Sequence, residues 1–213
     1  MTMDMSRYTH KAQEALLKAQ SLATEYKNPT IEPIHILVSL LTQKDGVVPE
    51  LVAKINGQSS ALLDGAQSVL RAQPRLGNNT GQIGLSRPAV DVLNRAERVA
   101  QRMKDDYIST EHLLLALLEG SNVAELLNKH GITEQAVLQA LASIRGSQRV
   151  TSPDPESTFQ ALEKYGRDLT ALARQGYLLP TREVGAGDRL RVGADVLQGA
   201  CGHHIAAVPA SAR

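Results

Sequence analysis

Imidazole side chains stand at matching places in two similar apolar stretches of this 213-residue sequence. His35 lies in the first stretch and His112 in the second, and a pair of imidazoles could share a metal ion. Neither has a Cys or a second His beside it. We therefore expect each ring to pack against a neighbouring helix and to hydrogen-bond near a helix end. A metal shared by the pair is the alternative interpretation.

Carboxylates gather just before and within the start of the second apolar stretch, at Asp105, Asp106 and Glu111. Two carboxylates held close together can act as general acid and base. Negative charge is also favoured in the first turn of a helix, where unpaired N–H groups point outward. The second interpretation needs no catalytic partner, so we take these residues as turn and helix-start acids, with a catalytic carboxylate pair as the alternative.

A third group lies near the carboxyl end, where Cys201 precedes His203 and His204. Thiolate and imidazole are common metal ligands, and a Cys–His pair can form a nucleophile when an orienting acid and a pocket accompany it. The sequence supplies neither of these nearby. We predict no catalytic residue, no metal site and no cofactor in this chain, with adventitious metal binding by the tail as the alternative.

The elements that position these side chains come in two copies. Residues 30–41 read TIEPIHILVSLL and residues 107–118 read YISTEHLLLALL. Ile31 matches Ile108 and His35 matches His112 at one fixed spacing of 77 positions, as do three leucines. A fixed spacing indicates an internal repeat. A helix so apolar on most sides is typical of a protein core, and we name these two segments the hub helices.

The repeat extends well beyond the hub helices. A preceding helix in each copy has seven apolar positions at helical spacing, and Thr9 and Ser86 lie where N-caps are expected. These positions are Ala12, Ala15, Leu16, Ala19, Leu22, Ala23 and Tyr26, matched by Ala89, Val92, Leu93, Ala96, Val99, Ala100 and Met103. Two further helices follow in each copy, matched at a spacing of 75 positions. We predict an all-α fold: a pseudo-twofold pair of four-helix repeats, eight helices in total, over residues 1–148.

The boundaries follow from composition. Repeat 1 covers about 8–72 and repeat 2 about 85–146, and residues 149–157 are rich in Ser, Pro and charge, which predicts a linker. Residues 158–176 have a short helical pattern, and the Gly-, Ala- and Arg-rich residues 177–213 predict a poorly structured tail.

Composition also bears on location and partners. The net charge is +1, which gives no strong attraction to nucleic acid or to a membrane surface. We find no apolar run of 18 residues, no signal peptide and a single cysteine, which predicts a cytoplasmic protein. We expect the chain to be a monomer.

The T-x-x-A helix start, the I-x-x-x-H-x-L-x-x-L-L hub and their duplication resemble the Clp amino-terminal (Clp repeat) domain of AAA+ unfoldases. Residues 156–176, ESTFQALEKYGRDLTALARQG, resemble the junction into the first nucleotide-binding module of ClpB-type disaggregases. The resemblance covers about residues 6–176 and stops there. The ATP-binding sequence G-x-x-x-x-G-K-[ST] does not occur, so we expect a chain truncated before the ATPase module, with a tail consistent with a shifted reading frame.

The resemblance implies the substrate-engaging amino-terminal domain of a ClpB-type disaggregase, a stress-response chaperone that binds unfolded or aggregated polypeptide weakly. The family's motor uses ATP and Mg, whereas this chain is expected to have neither cofactor nor enzymatic activity. In the family, polar residues border an apolar groove that receives substrate. The matching positions here are Thr9, Asp105 and Glu111, with Thr9 as a plain helix cap in the alternative interpretation.

A second hypothesis keeps the fold and changes the role. The chain could be a free-standing Clp-repeat adaptor that docks on a Clp-family ATPase hexamer or protease and regulates it. The junction-like segment ending at Gly176 argues against this, since an adaptor has no need of it. A small helical hydrolase is a third hypothesis, and no nucleophile–base arrangement supports it.

Overall fold

A computed structural model describes residues 5–56, 59–76, 83–145 and 149–155 of the chain. Within these residues eight α-helices form two sets of four, as predicted, preceded by a short 3-10 helix at Met5–Arg7. The first set is α1 (His10–Glu25), α2 (Pro33–Leu41), α3 (Val47–Asn56) and α4 (Ser59–Arg71). The second set is α5 (Arg87–Met103), α6 (Thr110–Leu118), α7 (Ala124–Lys129) and α8 (Glu134–Arg145). The predictions about residues 158–213, including Cys201, His203 and His204, lie outside the described residues.

The helices begin at the polar residues that the sequence predicts. Thr9 Oγ1 accepts a hydrogen bond from Ala12 N–H at 3.3 Å, and Ser86 Oγ accepts one from Ala89 N–H at 3.2 Å. Each cap satisfies an N–H group that has no partner inside its own helix. Thr133 caps α8 in the same way. After α7, Gly131 has a φ of 74°, the left-handed conformation that often ends a helix.

The hub helices α2 and α6 form the centre of the core. Every residue of α2 is buried, and every residue of α6 except Leu118 is buried as well. The two hub helices pack against each other and against α1 and α5, whose buried faces are the predicted small and aliphatic positions. Small residues such as Ala12 and Ala96 bring these helices close together, so small and aliphatic side chains fill most of the core, with Tyr8 as a buried aromatic residue among them.

Two very short strands, which the sequence did not predict, join the repeats. Strand β1 (Thr30–Ile31) pairs in parallel with β2 (Gly84–Leu85), and an isolated bridge joins Tyr8 to Ile108. Each interaction connects one repeat to the other, and each is the image of the other at the spacing of 77 positions. Strands of two residues are too short to leave an alternating pattern in a sequence, and for this reason only the structure reveals them.

Hydrogen bonds at the helix caps also connect each repeat to the other. Thr9 N–H donates to Ile108 O at 2.9 Å, and Ser86 N–H donates to Ile31 O at 3.0 Å. The remaining helices also pack across the pseudo-twofold, α3 against α8 and α4 against α7. Gly65 lies at the second contact, where an added Cβ would lie 3.2 Å from Leu126 Cδ1. Each repeat therefore completes the core of the other.

No helix in the part of the chain that the structure describes is long and apolar enough to cross a membrane.

We expect residues 1–76 expressed alone to lose most of their native helicity, because the partners of Tyr8 and Ile31 and of helices α3 and α4 lie in the other repeat. Mixing this fragment with residues 77–155 should restore helicity and a cooperative melt. Far-UV circular dichroism of each fragment and of the equimolar mixture measures both effects. A cooperative melt of residues 1–76 alone, at full native helicity, would contradict the pseudo-twofold core.

Candidate functional site

Each hub histidine closes the first turn of its own helix in a capping box. Glu32 N–H donates to His35 Nδ1 at 2.9 Å, and Ser109 N–H donates to His112 Nδ1 at 2.9 Å. In return the side chains of Glu32 and Ser109 accept from the backbone N–H of the histidines. Because a backbone N–H can only donate, Nδ1 is the acceptor in both rings and the ring proton lies on Nε2. The predicted hydrogen bond of each ring near a helix end is confirmed.

The protonated Nε2 of each ring reaches a residue just before the hub helix. His35 Nε2 bonds Asn28 Oδ1 at 3.0 Å, and His112 Nε2 bonds Asp105 Oδ2 at 2.9 Å. Asn28 and Asp105 are also related by the spacing of 77 positions. Burial lowers the pKa of His35 against the opposing effect of the Glu32 backbone and charge, which keeps this ring neutral. Both nitrogens of each ring are thus engaged within the protein, and the described residues contain no group of three or more metal-ligating side chains.

The second repeat adds a buried ion cluster that the first repeat lacks. Arg145, the last residue of α8, donates to Asp105 Oδ2 at 2.9 Å and to Glu111 Oε1 at 3.1 Å. The side chains of Arg145, Asp105 and Glu111 are 7%, 0% and 2% exposed. Two carboxylates share one guanidinium, so the cluster keeps a net negative charge in the protein interior, where charge is costly unless it is paired.

At the equivalent places the first repeat is neutral. Asn28, Ile34 and Leu70 stand where the second repeat has Asp105, Glu111 and Arg145. Ile34 and Leu70 are completely or almost completely buried apolar residues. The two repeats therefore share a scaffold but differ in charge at one place, where the first repeat has an amide and two apolar side chains.

Asp105 is held as a carboxylate. Burial by itself raises its pKa, but hydrogen bonds from His112, from Val150 N–H and from Arg145, together with the Arg145 charge, outweigh burial and lower the pKa from 3.8 to about 2. Its Oδ2 faces His112 and Arg145, whereas its Oδ1 faces the chain that follows α8. One carboxylate oxygen thus bonds side chains of the interior, and the other bonds the backbone of the chain that follows α8.

Residues 149–155, which we call the strap, lie over this second oxygen. Val150 N–H donates to Asp105 Oδ1 at 2.8 Å, and Val150 O accepts from Asp106 N–H at 2.9 Å and from Tyr107 N–H at 3.3 Å. Val150 is 0% exposed. The sequence predicts a linker over residues 149–157, and the structure shows the described part of it packed on the second repeat.

The strap continues to the start of α1. Pro153 O accepts a hydrogen bond from His10 N–H at 2.8 Å, which satisfies a first-turn N–H of that helix. Arg149 lies 3.7 Å from the Asp106 carboxylate in an exposed ion pair. The strap therefore bridges the two elements that carry the predicted substrate-binding residues.

The structure brings the three predicted binding residues to this place. Thr9 precedes His10, Asp105 bonds the strap directly, and Glu111 lies behind it on Arg145. All three side chains are buried, and Thr9 caps α1, as its alternative interpretation states. Direct contact with a substrate stays a prediction.

The sequence interpretation missed Arg145 and Val150. The signal for Arg145 was available, since a charged residue is aligned with the apolar Leu70 of the first repeat. Val150 left no comparable signal, because it is a single valine in a segment whose composition predicts a linker.

A serine, a histidine and an aspartate lie in line within the second repeat. Ser109 Oγ is 2.8 Å from His112 Nδ1, and His112 Nε2 is 2.9 Å from Asp105 Oδ2. Nucleophilic catalysis needs a hydroxyl that a substrate can reach. Ser109 and His112 are 0% exposed and the hydroxyl belongs to a capping box, so the arrangement is structural.

Comparison with known proteins identifies the scaffold. Residues 7–130 match the family model described as the Clp repeat (R) N-terminal domain. The chain belongs to this Clp repeat family. It is 40% identical over 182 residues to the chaperone protein ClpB of Bacillus cereus, a match that covers 84% of this chain and 21% of that protein. The chain thus spans about a fifth of the length of this curated relative.

Solved structures agree on the fold. The Hsp104 N-terminal domain from Candida albicans superposes with a TM-score of 0.63 at 25% identity, covering 68% of this chain and 96% of that one. A ClpV N-domain solved in complex with VipB peptide superposes with a TM-score of 0.52 at 20% identity, covering 65% of this chain and 86% of that one, and this likeness concerns the fold alone.

The low pKa of Asp105 predicts a pH dependence of stability. Its folded pKa lies below its ordinary value, so the stabilisation is complete above pH ~4 and is lost as the pH falls towards about 2. The loss amounts to about 2 kcal/mol. Urea unfolding at pH 6, 4 and 2.5 measures the dependence.

Asp105→Asn should lower the free energy of unfolding at pH 7 by about 2–4 kcal/mol, because Arg145 loses one buried partner and an amide N–H₂ can face Val150 N–H. It should also flatten the pH dependence. Asp106→Asn, at a side chain that is 60% exposed, is the matched control and should change the free energy of unfolding little. Equal losses in the two variants would contradict the assigned role of Asp105.

Proposed function

We propose that this chain acts as the substrate-engaging amino-terminal domain of a ClpB-type disaggregase and binds unfolded or aggregated polypeptide weakly. One observation supports this proposal most directly. Around the start of the second hub helix, main-chain N–H groups and one carboxylate oxygen bond the main chain of the strap. Any polypeptide carries the same main-chain groups, so a site of this kind can accept many sequences.

Two further facts support the proposal. Among the described residues, the charged cluster occurs in the repeat that carries this site, where it holds Asp105 ionised with one oxygen bonded to the strap. A ClpV N-domain of the same fold binds VipB peptide. Peptide binding on this scaffold is therefore physically reasonable.

The size of the site sets the expected affinity. An apolar side chain that becomes fully buried contributes about 1.5–3 kcal/mol, whereas ordering the bound segment and losing its freedom cost several kcal/mol. The balance gives dissociation constants on the order of micromolar to millimolar. Weak and sequence-tolerant binding suits capture of many unfolded chains before delivery to a translocating motor.

The same role fits better than that of a free-standing adaptor. The similarity to ClpB of Bacillus cereus extends over 182 residues, which is longer than the two repeats, whose last helix ends at Arg145. The likeness therefore continues into the segment after the repeats, where a separate adaptor needs no ClpB-like sequence. A cytoplasmic location, a monomeric state and docking on Clp-family ATPase hexamers stay predictions.

An NMR titration tests the proposal. The full 213-residue chain, labelled with ¹⁵N, is titrated with reduced and carboxymethylated α-lactalbumin, which cannot fold. We expect concentration-dependent amide shifts at His10, at Asp105–Tyr107 and around Glu111, with an apparent dissociation constant on the order of micromolar to millimolar. We also expect no ATP hydrolysis by this chain, in which the G-x-x-x-x-G-K-[ST] sequence does not occur.

The first repeat is the internal control for this titration. Asn28 and Ile34 occupy the pseudo-equivalent place without the charged cluster, so their amides should not shift. Null shifts throughout the chain at millimolar probe, or equal shifts at the two places, would rule out a polypeptide site at the second repeat.

A further inference from the structure

We propose that the strap is an internal competitor for the polypeptide site of the second repeat, and that among the many segments it accepts this site favours those in which a basic residue precedes a branched aliphatic one. The inference rests on the proposed function, because it takes the site under the strap to be the one that binds substrate. It adds what the site prefers and what controls access to it.

Main-chain groups of the strap hold it against the repeats. The N–H and O of Val150 and the O of Pro153 form hydrogen bonds with the repeats. Their partners in the repeats are Asp105 Oδ1, which accepts, and backbone N–H groups of the second repeat and of α1, which donate. None of these bonds depends on the strap's own side chains, so a foreign extended chain can form the same set.

The contacts of Val150 and Arg149 indicate which side chains the site can distinguish. Val150 is 0% exposed and is thus the strap's apolar anchor. Arg149 faces the exposed carboxylate of Asp106 at 3.7 Å, beside a cluster that carries two buried carboxylates and one guanidinium. Burial at the position of Val150 favours a branched aliphatic residue there. The negative charge near Arg149 favours a basic residue at the position before it.

Proline is accepted further along. Only the carbonyl of Pro153 bonds the repeats, to His10 N–H, and a proline retains its carbonyl while it lacks an N–H. Between Val150 and Pro153 the strap is exposed or half-buried. The site is therefore expected to accept a proline three positions after the buried aliphatic residue.

The strap competes with a bound polypeptide for the same hydrogen-bonding groups. The strap is a non-helical segment in which Val150 and Pro155 are the two buried residues, and segments with few buried contacts open at low cost in free energy. While the strap is in place it occupies Asp105 Oδ1 and the N–H groups of Asp106, Tyr107 and His10. A ligand then binds only the open fraction of molecules, and its apparent affinity falls by that fraction.

The test compares affinities of full-length variants for carboxymethylated α-lactalbumin. Val150→Asp removes the apolar anchor and places a negative charge against the acidic site, so the strap should open and the dissociation constant should fall about tenfold. Val69→Asp makes the same chemical change at an exposed valine on α4, 39% exposed, and should leave the dissociation constant unchanged.

A second arm uses the wild-type chain and needs no folded variant. The Val150 amide resonance should move to an unstructured position when the site is saturated with the same probe. The synthetic peptide RVTSPDP, which has the strap sequence, should compete with the probe, whereas RDTSPDP should not.

The outcomes separate this inference from the proposed function. Binding with an unmoved Val150 resonance, and with equal affinity in Val150→Asp, would overturn the strap as a competitor and leave the proposed function intact. Absence of probe binding in both wild type and Val150→Asp would overturn the proposed function itself. If circular dichroism shows that Val150→Asp is unfolded, the wild-type resonance and the peptide competition decide.

Discussion

The hydrogen bond from each hub histidine to the residue seven positions before it is the constraint on which the rest of the structure depends. His35 and His112 each join two parts of the chain: their own helix start through Nδ1, and the preceding turn through Nε2. The residue at the far end of that bond then holds the chain that leaves the fourth helix. Asn28 donates to Pro74 O at 2.8 Å, whereas Asp105 accepts from Val150 N–H at 2.8 Å. A change from amide to carboxylate thus reverses the direction of one hydrogen bond within a conserved geometry of the two repeats.

Much of the fold could be predicted from the sequence because duplication doubles every signal. The apolar face of α1 alone is an ordinary amphipathic pattern, but its recurrence in α5 at one fixed spacing indicates both the helices and their pairing. Caps at Thr9 and Ser86 followed for the same reason. What could not be predicted are the contacts between repeats through β1 and β2, since two paired residues carry no periodicity. The site was only partly predictable. Asp105 and Glu111 attract attention as acids, yet the sequence does not show that Arg145 buries them together.

The comparison of the two repeats also shows how a symmetric scaffold carries an asymmetric site. The hub helices, caps and histidines are common to both, so these residues serve the fold. Charge at Asp105, Glu111 and Arg145 occurs once, and it costs free energy that the first repeat avoids with apolar side chains. A feature that is expensive, buried and confined to one copy is a better guide to function than the histidines that first drew attention. The buried Ser109–His112–Asp105 line illustrates the same distinction, since its geometry is explained by capping and its burial excludes a substrate.

The crossed pairing of the repeats has a consequence for how such a domain can arise. Tyr8 pairs with Ile108 while Leu85 pairs with Ile31, so these two links between the halves are equivalent under the pseudo-twofold. In an assembly of two separate chains this would be an isologous interface, with the same patch on both partners. The domain thus has the geometry of a homodimer whose two halves are joined in one chain. Because the two repeats are parts of one chain, they can differ in sequence. A substitution in one repeat does not appear in the other, as it would in both subunits of a homodimer. A charged cluster that a true homodimer would have to bury twice is buried here only once.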